Sequence, residues 1–184
     1  MRRVPARLTR RAALGGAAAV TLASCGGSDP PPATGPEAGS GAAMLSSVAA
    51  LEHAAAVAWA AIGERLEGEA RGYARTIEAR ERRHAERISA LIRELGGEPP
   101  EGRPPEEYAP QFPLMRNEDE ALRFAADLEE HLVRAHLDAL QTLPEEEQRR
   151  AVAEIAAEEA EDLAVVHAVS GEPVAEFPFV TGTQ

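Results

Sequence analysis

Acidic and histidine residues interrupt four otherwise apolar helical stripes, and these residues are the best suited in the chain to perform chemistry. Glu52 follows Val48 by four positions and precedes Trp59 by seven, so it shares their face of a helix. The same spacing rule places further ionisable residues on apolar faces: Glu81, His84, Glu129, Glu159 and Asp162. Each lies near the middle of its stripe, so antiparallel helices would bring the whole set to one level.

A set of this kind predicts a metal site. A buried carboxylate is costly unless it is paired or binds a cation. Glu81 and His84 are three positions apart, so both can reach one ion from a single helix face. A carboxylate-lined core with a Glu-x-x-His pair is the arrangement that binds two iron or manganese ions, because oxygen ligands suit these hard cations and imidazole tolerates them.

An internal repeat relates the two halves of the chain. The corresponding residues are Glu52 with Glu129, Trp59 with His136, Glu81 with Glu159, and His84 with Asp162. The two halves therefore look like one helical hairpin used twice. Glu158 and Glu161 flank this pattern, and a shift of one residue in the last helix would turn them inward instead of Glu159 and Asp162.

Four amphipathic segments carry these residues, and no segment shows convincing strand alternation. The apolar stripes lie within residues 45–66, 73–95, 122–143 and 152–169. Residues 98–116 form a long Pro-rich connection, which is expected to cross the end of the bundle. The sequence therefore predicts an all-α fold, a four-helix bundle of two antiparallel hairpins with a long crossover between helices 2 and 3.

Local signals predict where the helices begin and end. Gly96 and Gly97 are expected to end the second helix. Asn117, with Glu120 three positions later, is expected to open the third helix as a capping box. Pro144 suits the first turn of the fourth helix, which is expected to end at Gly171.

The N-terminus is typical of an exported lipoprotein. Residues 9–14, TRRAAL, resemble a twin-arginine export motif, and residues 22–25, LASC, resemble a bacterial lipobox. We therefore expect cleavage of residues 1–24 and acylation of Cys25. This would anchor the chain by its lipid to the outer face of the cytoplasmic membrane. Residues 25–41 are rich in Gly, Pro and Ser and are predicted to be a flexible tether, followed by a helical domain over residues 42–184.

The net charge argues against one class of partner. The formal net charge is −12, and the first 24 residues hold five arginines and no acidic residue, so the cleaved chain would be near −17. A domain this acidic should repel nucleic acid, and we expect no nucleic-acid partner. Cys25 is the only cysteine, which excludes an intrachain disulfide.

Four stretches of the chain resemble ferritin-like, rubrerythrin-related proteins, and among them exported bacterial ferritin-like domain proteins. These stretches are LEHAAAVAW, ERRHAERISALIRELGG, LEEHLVRAHLDAL and EEAEDLAVVHAVSGEPVAEFPFVTG. The resemblance covers about residues 42–182 and implies a di-iron or iron–manganese centre. The ligands it implies are Glu52, Glu81, His84, Glu129 and Glu159.

The resemblance also implies roles and an activity. Glu52 and Glu129 would be terminal ligands, Glu81 and Glu159 would bridge the two ions, and His84 would complete one ion. The chemistry would be oxidation of Fe²⁺ or reaction with O₂ or peroxide. Whether the chain is such an enzyme is left open at this point, as are a homodimer and any protein partner.

Position 162 departs from the family pattern, which has histidine there. Asp162 adds a negative charge, so five ionised carboxylates would exceed the charge of two divalent ions and favour an oxidised pair. The alternative is a decayed site in a metal-free bundle that binds an envelope partner or ligand. His136 is expected in the core or beside the ligands. The remaining histidines and the arginines of the second helix are expected mostly at the surface: His53, His131, His167, Arg80, Arg82, Arg83 and Arg87.

Overall fold

The computed structural model describes residues 38–171, and within this range the helices are joined by turns and loops, with no strand. Its helices are α1 (Ala38–Gly63), α2 (Gly68–Glu94), α3 (Pro105–Tyr108), α4 (Glu118–Leu140) and α5 (Glu146–Ser170), with a 3-10 turn at Ala109–Gln111. α1 packs along α2, and α4 packs along α5. The predicted bundle of two hairpins is confirmed. The predicted leader, Cys25 and the tether up to residue 37 lie outside the described residues.

The start of the bundle differs slightly from the prediction. α1 begins at Ala38, inside the last four residues of the predicted tether. By length and composition alone, Ser40–Gly63 could cross a membrane, but half of this stretch is buried inside the bundle. Glu52, at its middle, is completely buried. A helix that is apolar on nearly all sides is also typical of a bundle core.

Apolar side chains form two clusters with a polar layer between them. The Leu45 cluster contains Leu45, Val48, Ile88, Ile92, Leu143, Val152 and Ile155. The Trp59 cluster contains Trp59, Ile62, Leu66, Ala74, Ile77, Leu122 and Val166. Burial of these side chains, at about 25 cal/mol per Å² of apolar surface, stabilises the bundle on either side of the polar layer.

The direction of the helices explains the long crossover. α1 and α5 run from the Leu45 cluster to the Trp59 cluster, whereas α2 and α4 run the opposite way. Because α2 and α4 are parallel, the connection between them must travel the length of the bundle. The prediction that it crosses the end of the bundle was therefore wrong.

Aromatic residues hold the crossover against the bundle. Tyr108 is buried, and its hydroxyl accepts a hydrogen bond of 3.0 Å from the backbone N–H of Arg103. The rings of Phe112 and Phe124 lie 5.8 Å apart, centroid to centroid. Met115 then joins the Trp59 cluster just before α4 begins. These contacts fix the point at which α4 enters the bundle.

The helix ends follow the predicted signals in part. Gly96 has φ of 77°, a left-handed conformation that suits glycine after the end of α2. Asn117 accepts a hydrogen bond of 2.9 Å from the N–H of Glu120, as predicted. The carboxylate of Glu120 bonds the N–H of Arg116 rather than that of Asn117, so only half of the capping box forms. Pro144 precedes the N-cap, Glu145, so its predicted place in the first turn of α5 was wrong.

The apolar stripe predicted for residues 73–95 begins at Tyr73, which instead faces solvent. Tyr73 is 47 % exposed, because the core face of α2 at this level is formed by Ala70, Ala74 and Ile77. The buried stripe of α2 therefore contains Ala74 in place of Tyr73. This register also carries Glu81 into the polar layer, because Glu81 lies four positions beyond Ile77.

Candidate metal centre

Seven ionisable side chains fill the polar layer between the two apolar clusters, and none is more than 2 % exposed. They are Glu52 on α1, Glu81 and His84 on α2, Glu129 and His136 on α4, and Glu159 and Asp162 on α5. All six ligands proposed from the sequence lie in this layer. Each of the four long helices contributes at least one carboxylate to it.

His84 lies at the centre of the layer and faces three carboxylates. Its Nδ1 is 2.6 Å from Oε1 of Glu159, 3.8 Å from Oε2 of Glu81 and 3.9 Å from Oε2 of Glu52. Each of these four residues offers one ligand atom, and the four atoms lie within 4.8 Å of one another. Three oxygens and one nitrogen at such distances can bind a single cation together.

The other ring nitrogen of His84 is held by Glu158. His84 Nε2 lies 2.9 Å from Oε2 of Glu158. The side chain of Glu158 is 40 % exposed and lies where α2 and α5 pack side by side, a contact that we call the α2–α5 seam. A carboxylate can only accept at neutral pH, so His84 donates from Nε2. This leaves Nδ1 directed at the carboxylates, an orientation typical of metal-binding histidines. Glu158 was not among the sequence-predicted site residues, and its position beside Glu159 was the one signal that drew attention to it.

Glu129 is held by Trp59 from the opposite hairpin. The indole Nε1–H donates a hydrogen bond of 2.6 Å to Oε1 of Glu129. Because the indole N–H can only donate, it fixes this oxygen. Oε2 of Glu129 stays in the polar layer without a hydrogen bond from any described residue.

His136 makes the reciprocal approach to Glu52. Its Nε2 is 2.9 Å from Oε1 of Glu52, and its Nδ1 is 2.8 Å from the carbonyl oxygen of Leu132. His136 follows Glu129 by seven positions, as Trp59 follows Glu52. The internal repeat in the sequence therefore corresponds to a pair of crossed contacts between the hairpins. His136 is buried in the core, as the sequence predicted.

Asp162 pairs with an arginine at the edge of the layer. Oδ1 of Asp162 lies 2.7 Å from an Nη atom of Arg80, whose side chain is 22 % exposed. Arg80 therefore belongs to the centre rather than to the solvated face that the sequence predicted. Its positive charge offsets the charge that Asp162 adds. The remaining buried carboxylates carry four negative charges when ionised, which two divalent ions would balance.

Further polar side-chain pairs join α2 and α5 in the more exposed part of the α2–α5 seam. Arg87 lies 2.8 Å from Glu154 and 3.8 Å from Glu158. Together with the Arg80–Asp162 and His84–Glu158 pairs, these contacts form a ladder of polar pairs between the two helices. Arg82 pairs instead with Glu78 on its own helix, at the surface, as predicted.

Burial shifts the pKa values of most groups in the layer. Desolvation, followed by the neighbouring carboxylates, raises the pKa of Glu52 and of Glu129 well above the ordinary value. Desolvation also raises the pKa of Asp162 to about 7, despite the Arg80 guanidinium. These directions show that the layer retains protons at neutral pH when no cation is bound.

The two histidines shift in opposite directions. Burial lowers the pKa of His84, but Glu159 and Glu81 outweigh this effect and raise it to about 10. Burial lowers the pKa of His136 to about 4, so its ring is neutral at pH 7. A cation entering the layer would therefore displace a proton from His84 but would meet a free lone pair on His136.

The donor atoms of the layer fit a metal centre of the iron or manganese type. Ten of its side-chain oxygens and nitrogens are buried and have no well-aligned hydrogen bond to residues 38–171, although His84 Nδ1 lies close to Glu159 and His136 Nε2 close to Glu52. They belong to Glu52, Glu81, His84, Glu129, His136, Glu159 and Asp162. Unpartnered buried acceptors are costly, and cations coordinated by carboxylate and imidazole would satisfy them.

Comparison with known proteins agrees with this architecture. Residues 37–172 match the family model of the ferritin-like domain. The fold is similar to the crystal structure of a conserved hypothetical protein, rv2844, from Mycobacterium tuberculosis, with a TM-score of 0.65. The two chains are 14 % identical, and the match covers 80 % of this chain and 99 % of that one. No curated protein matches this chain. The chain, with its two helical hairpins and carboxylate-lined core, belongs to the ferritin-like domain family.

Proposed function

We propose that this protein binds two iron or manganese ions in the polar layer and uses them to oxidise Fe²⁺ or to react with O₂ or peroxide. The observation that carries the proposal is the set of ten buried donor atoms, contributed by all four long helices, that have no well-aligned hydrogen bond to the described residues. A core that only needed to be stable would replace such groups with apolar residues, because buried charges are costly without partners.

Different residues of the polar layer would contribute different ligand atoms to the ions. Glu52, Glu81, His84 and Glu159 would hold one ion between them, and Glu129 offers a further oxygen from α4. When bound, iron or manganese supplies the one-electron redox chemistry that the protein side chains lack. The two apolar clusters exclude bulk water from both sides of the layer. This strengthens the electrostatic interactions between the carboxylates and any cation.

Residues around the layer fix the ligand orientations. Glu158 accepts the Nε2–H of His84, and Trp59 donates to Glu129, so one imidazole and one carboxylate are oriented before a cation arrives. The α2–α5 seam, with half-exposed Glu158 and Arg87, lies between solvent and His84. We propose this polar seam as the route by which ions reach the centre.

Oxygen consumption tests the proposed activity. The full chain, loaded anaerobically with Fe²⁺, should consume O₂ on exposure to air and turn over when further Fe²⁺ is added. The Glu81→Ala/His84→Ala variant should show only the background rate of Fe²⁺ in buffer. His131→Ala, an exposed histidine substitution on α4, is the matched control and should retain the wild-type rate. Equal rates in the wild type and the double variant would contradict the activity.

We also propose that the protein is exported by the twin-arginine pathway and tethered to the outer face of the cytoplasmic membrane through a lipid on Cys25. The support is the sequence of residues 9–14 and 22–25. Cell fractionation of the Cys25→Ala variant tests the anchor. Release of the variant from the membrane is expected, and a variant that stays membrane-bound in the absence of partners would contradict the lipid anchor.

The rival function is a metal-free bundle that binds an envelope partner or ligand. One feature favours it, a groove of about 480 Å³ between α1, α4 and the crossover. The groove is lined in part by Leu51, Tyr108, His131 and Arg134. A well-folded wild-type chain that retains no iron or manganese would favour this rival over the redox function.

A further inference from the structure

We propose that His136 is the second histidine ligand of the centre and that it binds metal through Nε2. Asp162, which stands where the family pattern has a histidine, does not take this role. This inference rests on the proposed function, because it concerns how the second ion is held. It differs from the ligand set implied by the family pattern, which places the second histidine at position 162. The second histidine would here come from α4 instead of α5.

The orientation of the His136 ring supports this assignment. Its Nδ1 lies 2.8 Å from the carbonyl oxygen of Leu132, and a carbonyl oxygen can only accept. The proton therefore sits on Nδ1, and Nε2 is the ring nitrogen that faces the polar layer. Metal-binding histidines usually donate their other N–H to a carboxylate or a backbone carbonyl. His84 donates its other N–H to the carboxylate of Glu158, and His136 donates its other N–H to the carbonyl of Leu132.

Glu52 lies between the two imidazoles. Its Oε1 is 2.9 Å from His136 Nε2, and its Oε2 is 3.9 Å from His84 Nδ1. Two ligand atoms that bind one ion at about 2.1 Å and at right angles are about 3.0 Å apart, close to the separation of Oε1 and Nε2. Glu52 would then help to hold a cation beside each imidazole, whereas the resemblance implies that it is a terminal ligand.

Asp162 has only one oxygen, Oδ2, left for a cation. One of its oxygens bonds Arg80, and its short side chain begins on α5, at the edge of the layer where Arg80 reaches solvent. A carboxylate that shares its charge with a guanidinium is a weaker cation ligand than a free one. The loss of histidine at position 162 and the presence of His136 are therefore complementary.

Trp59 and His136 occupy equivalent positions in the two hairpins, and the comparison supports a ligand role for His136. Both follow a buried glutamate by seven positions and contact the glutamate of the opposite hairpin. Indole nitrogen can only donate, so Trp59 orients Glu129 but cannot bind metal. The Nδ1–H of His136 is already used by the Leu132 carbonyl, so Nε2 is the nitrogen left for a cation. The two equivalent positions thus give the centre one fixed carboxylate and one additional nitrogen ligand.

Metal counting on matched variants tests the inference. The full-length wild type, His136→Phe, Asp162→Asn and the surface control His131→Phe would be loaded anaerobically with Co²⁺ and analysed by mass spectrometry and titration. We expect two ions per chain in the wild type, in Asp162→Asn and in His131→Phe. His136→Phe should hold one ion at the same concentration, with the second binding at least about tenfold more weakly.

A measurement on the wild type keeps the inference testable if His136→Phe does not fold. In Co²⁺-loaded protein labelled with ¹⁵N at histidine only, each ligating imidazole should give one strongly shifted N–H signal that disappears in D₂O. Two such signals are expected, from His84 and His136. One signal, or two ions retained by His136→Phe with unchanged affinity, would overturn the inference while leaving the proposed function standing. A wild type that binds no Co²⁺ would overturn both.

Discussion

The indole N–H of Trp59 donates a hydrogen bond of 2.6 Å to Glu129, which lies 70 positions later on the opposite hairpin. This bond joins the two halves of the bundle at the level of the polar layer. Trp59 is 2 % exposed and is the only tryptophan in the chain. Its fluorescence emission therefore reports on metal binding near one carboxylate of the centre, that of Glu129.

Metal binding should quench the fluorescence of Trp59. Addition of Fe²⁺ or Co²⁺ to the metal-free protein is expected to reduce the emission until two ions per chain are bound, because these paramagnetic ions would lie close to the ring. The Glu81→Ala/His84→Ala variant should show little saturable quenching. Equal quenching in both proteins would indicate that the ions bind away from the polar layer.

Removal of the carboxylate that holds His84 should weaken metal binding without changing the ligand set. Glu158→Gln is expected to lower the metal affinity about 10–100-fold, because an amide oxygen accepts the Nε2–H of His84 more weakly than the carboxylate does. Titration against a competing chelator gives the affinity. Glu154→Gln, which alters a pair with Arg87 on the same seam, is the matched control and should bind metal as the wild type does. An unchanged affinity in Glu158→Gln would contradict this role.

The fold was predictable because apolar spacing and the caps are local signals. The stripe of α1 predicted buried residues such as Leu45, Trp59 and Ile62, and all are at most 2 % exposed. The path of the crossover was not predictable in the same way. It depends on the relative direction of α2 and α4, which is a property of the packed bundle and leaves no periodic signal in residues 98–116.

The stability of the metal-free protein should depend on pH in a defined direction. The pKa of Asp162 is raised to about 7 and that of His84 to about 10, so both groups bind protons more tightly in the folded state. Groups of this kind contribute stability below their unfolded pKa, and this stability is lost as the pH rises through the folded pKa. His136 has the opposite effect, but that effect is complete by about pH 6.5.

We therefore expect the Tm of the metal-free protein to fall between about pH 6.5 and pH 10, as His84 loses its proton. Circular dichroism at 222 nm would follow the unfolding of the helices. In the metal-loaded protein the trend should be weaker or reversed, because the bound cations replace the protons. A Tm of the metal-free protein that rises steadily over this range would contradict the described environment of the polar layer.

The cap of α4 should contribute to stability but not to metal binding. Asn117→Ala is expected to lower the free energy of unfolding by about 1 kcal/mol, because the N–H of Glu120 loses its acceptor. Asn117→Asp retains an acceptor and should stay close to the wild type. Urea denaturation measures the difference. A loss of bound metal in Asn117→Ala, with the protein still folded, would show that the cap and the centre are coupled.

The sequence indicated which acidic residues share the polar layer, but not how the residues of the layer pair. Position on a helix face indicated that Glu52, Glu81 and Glu159 share a layer, and each is completely buried. The pairing of Arg80 with Asp162 and the approach of His136 to Glu52 depend on side-chain reach across two helices. Sequence spacing along one helix carries no such information. The sequence analysis counted five uncompensated carboxylates, and the pairing of Arg80 with Asp162 reduces this number to four.

The most direct test of the central claim is the metal content of the full-length protein, purified in detergent without chelators and reconstituted anaerobically with Fe²⁺ or Mn²⁺. Mass spectrometry of the wild type should give about two ions per chain. The Glu81→Ala/His84→Ala variant, with the same helical content, should lose them. A folded wild type that retains no metal, or a double variant that retains two ions, would contradict the assignment of the polar layer as a metal centre.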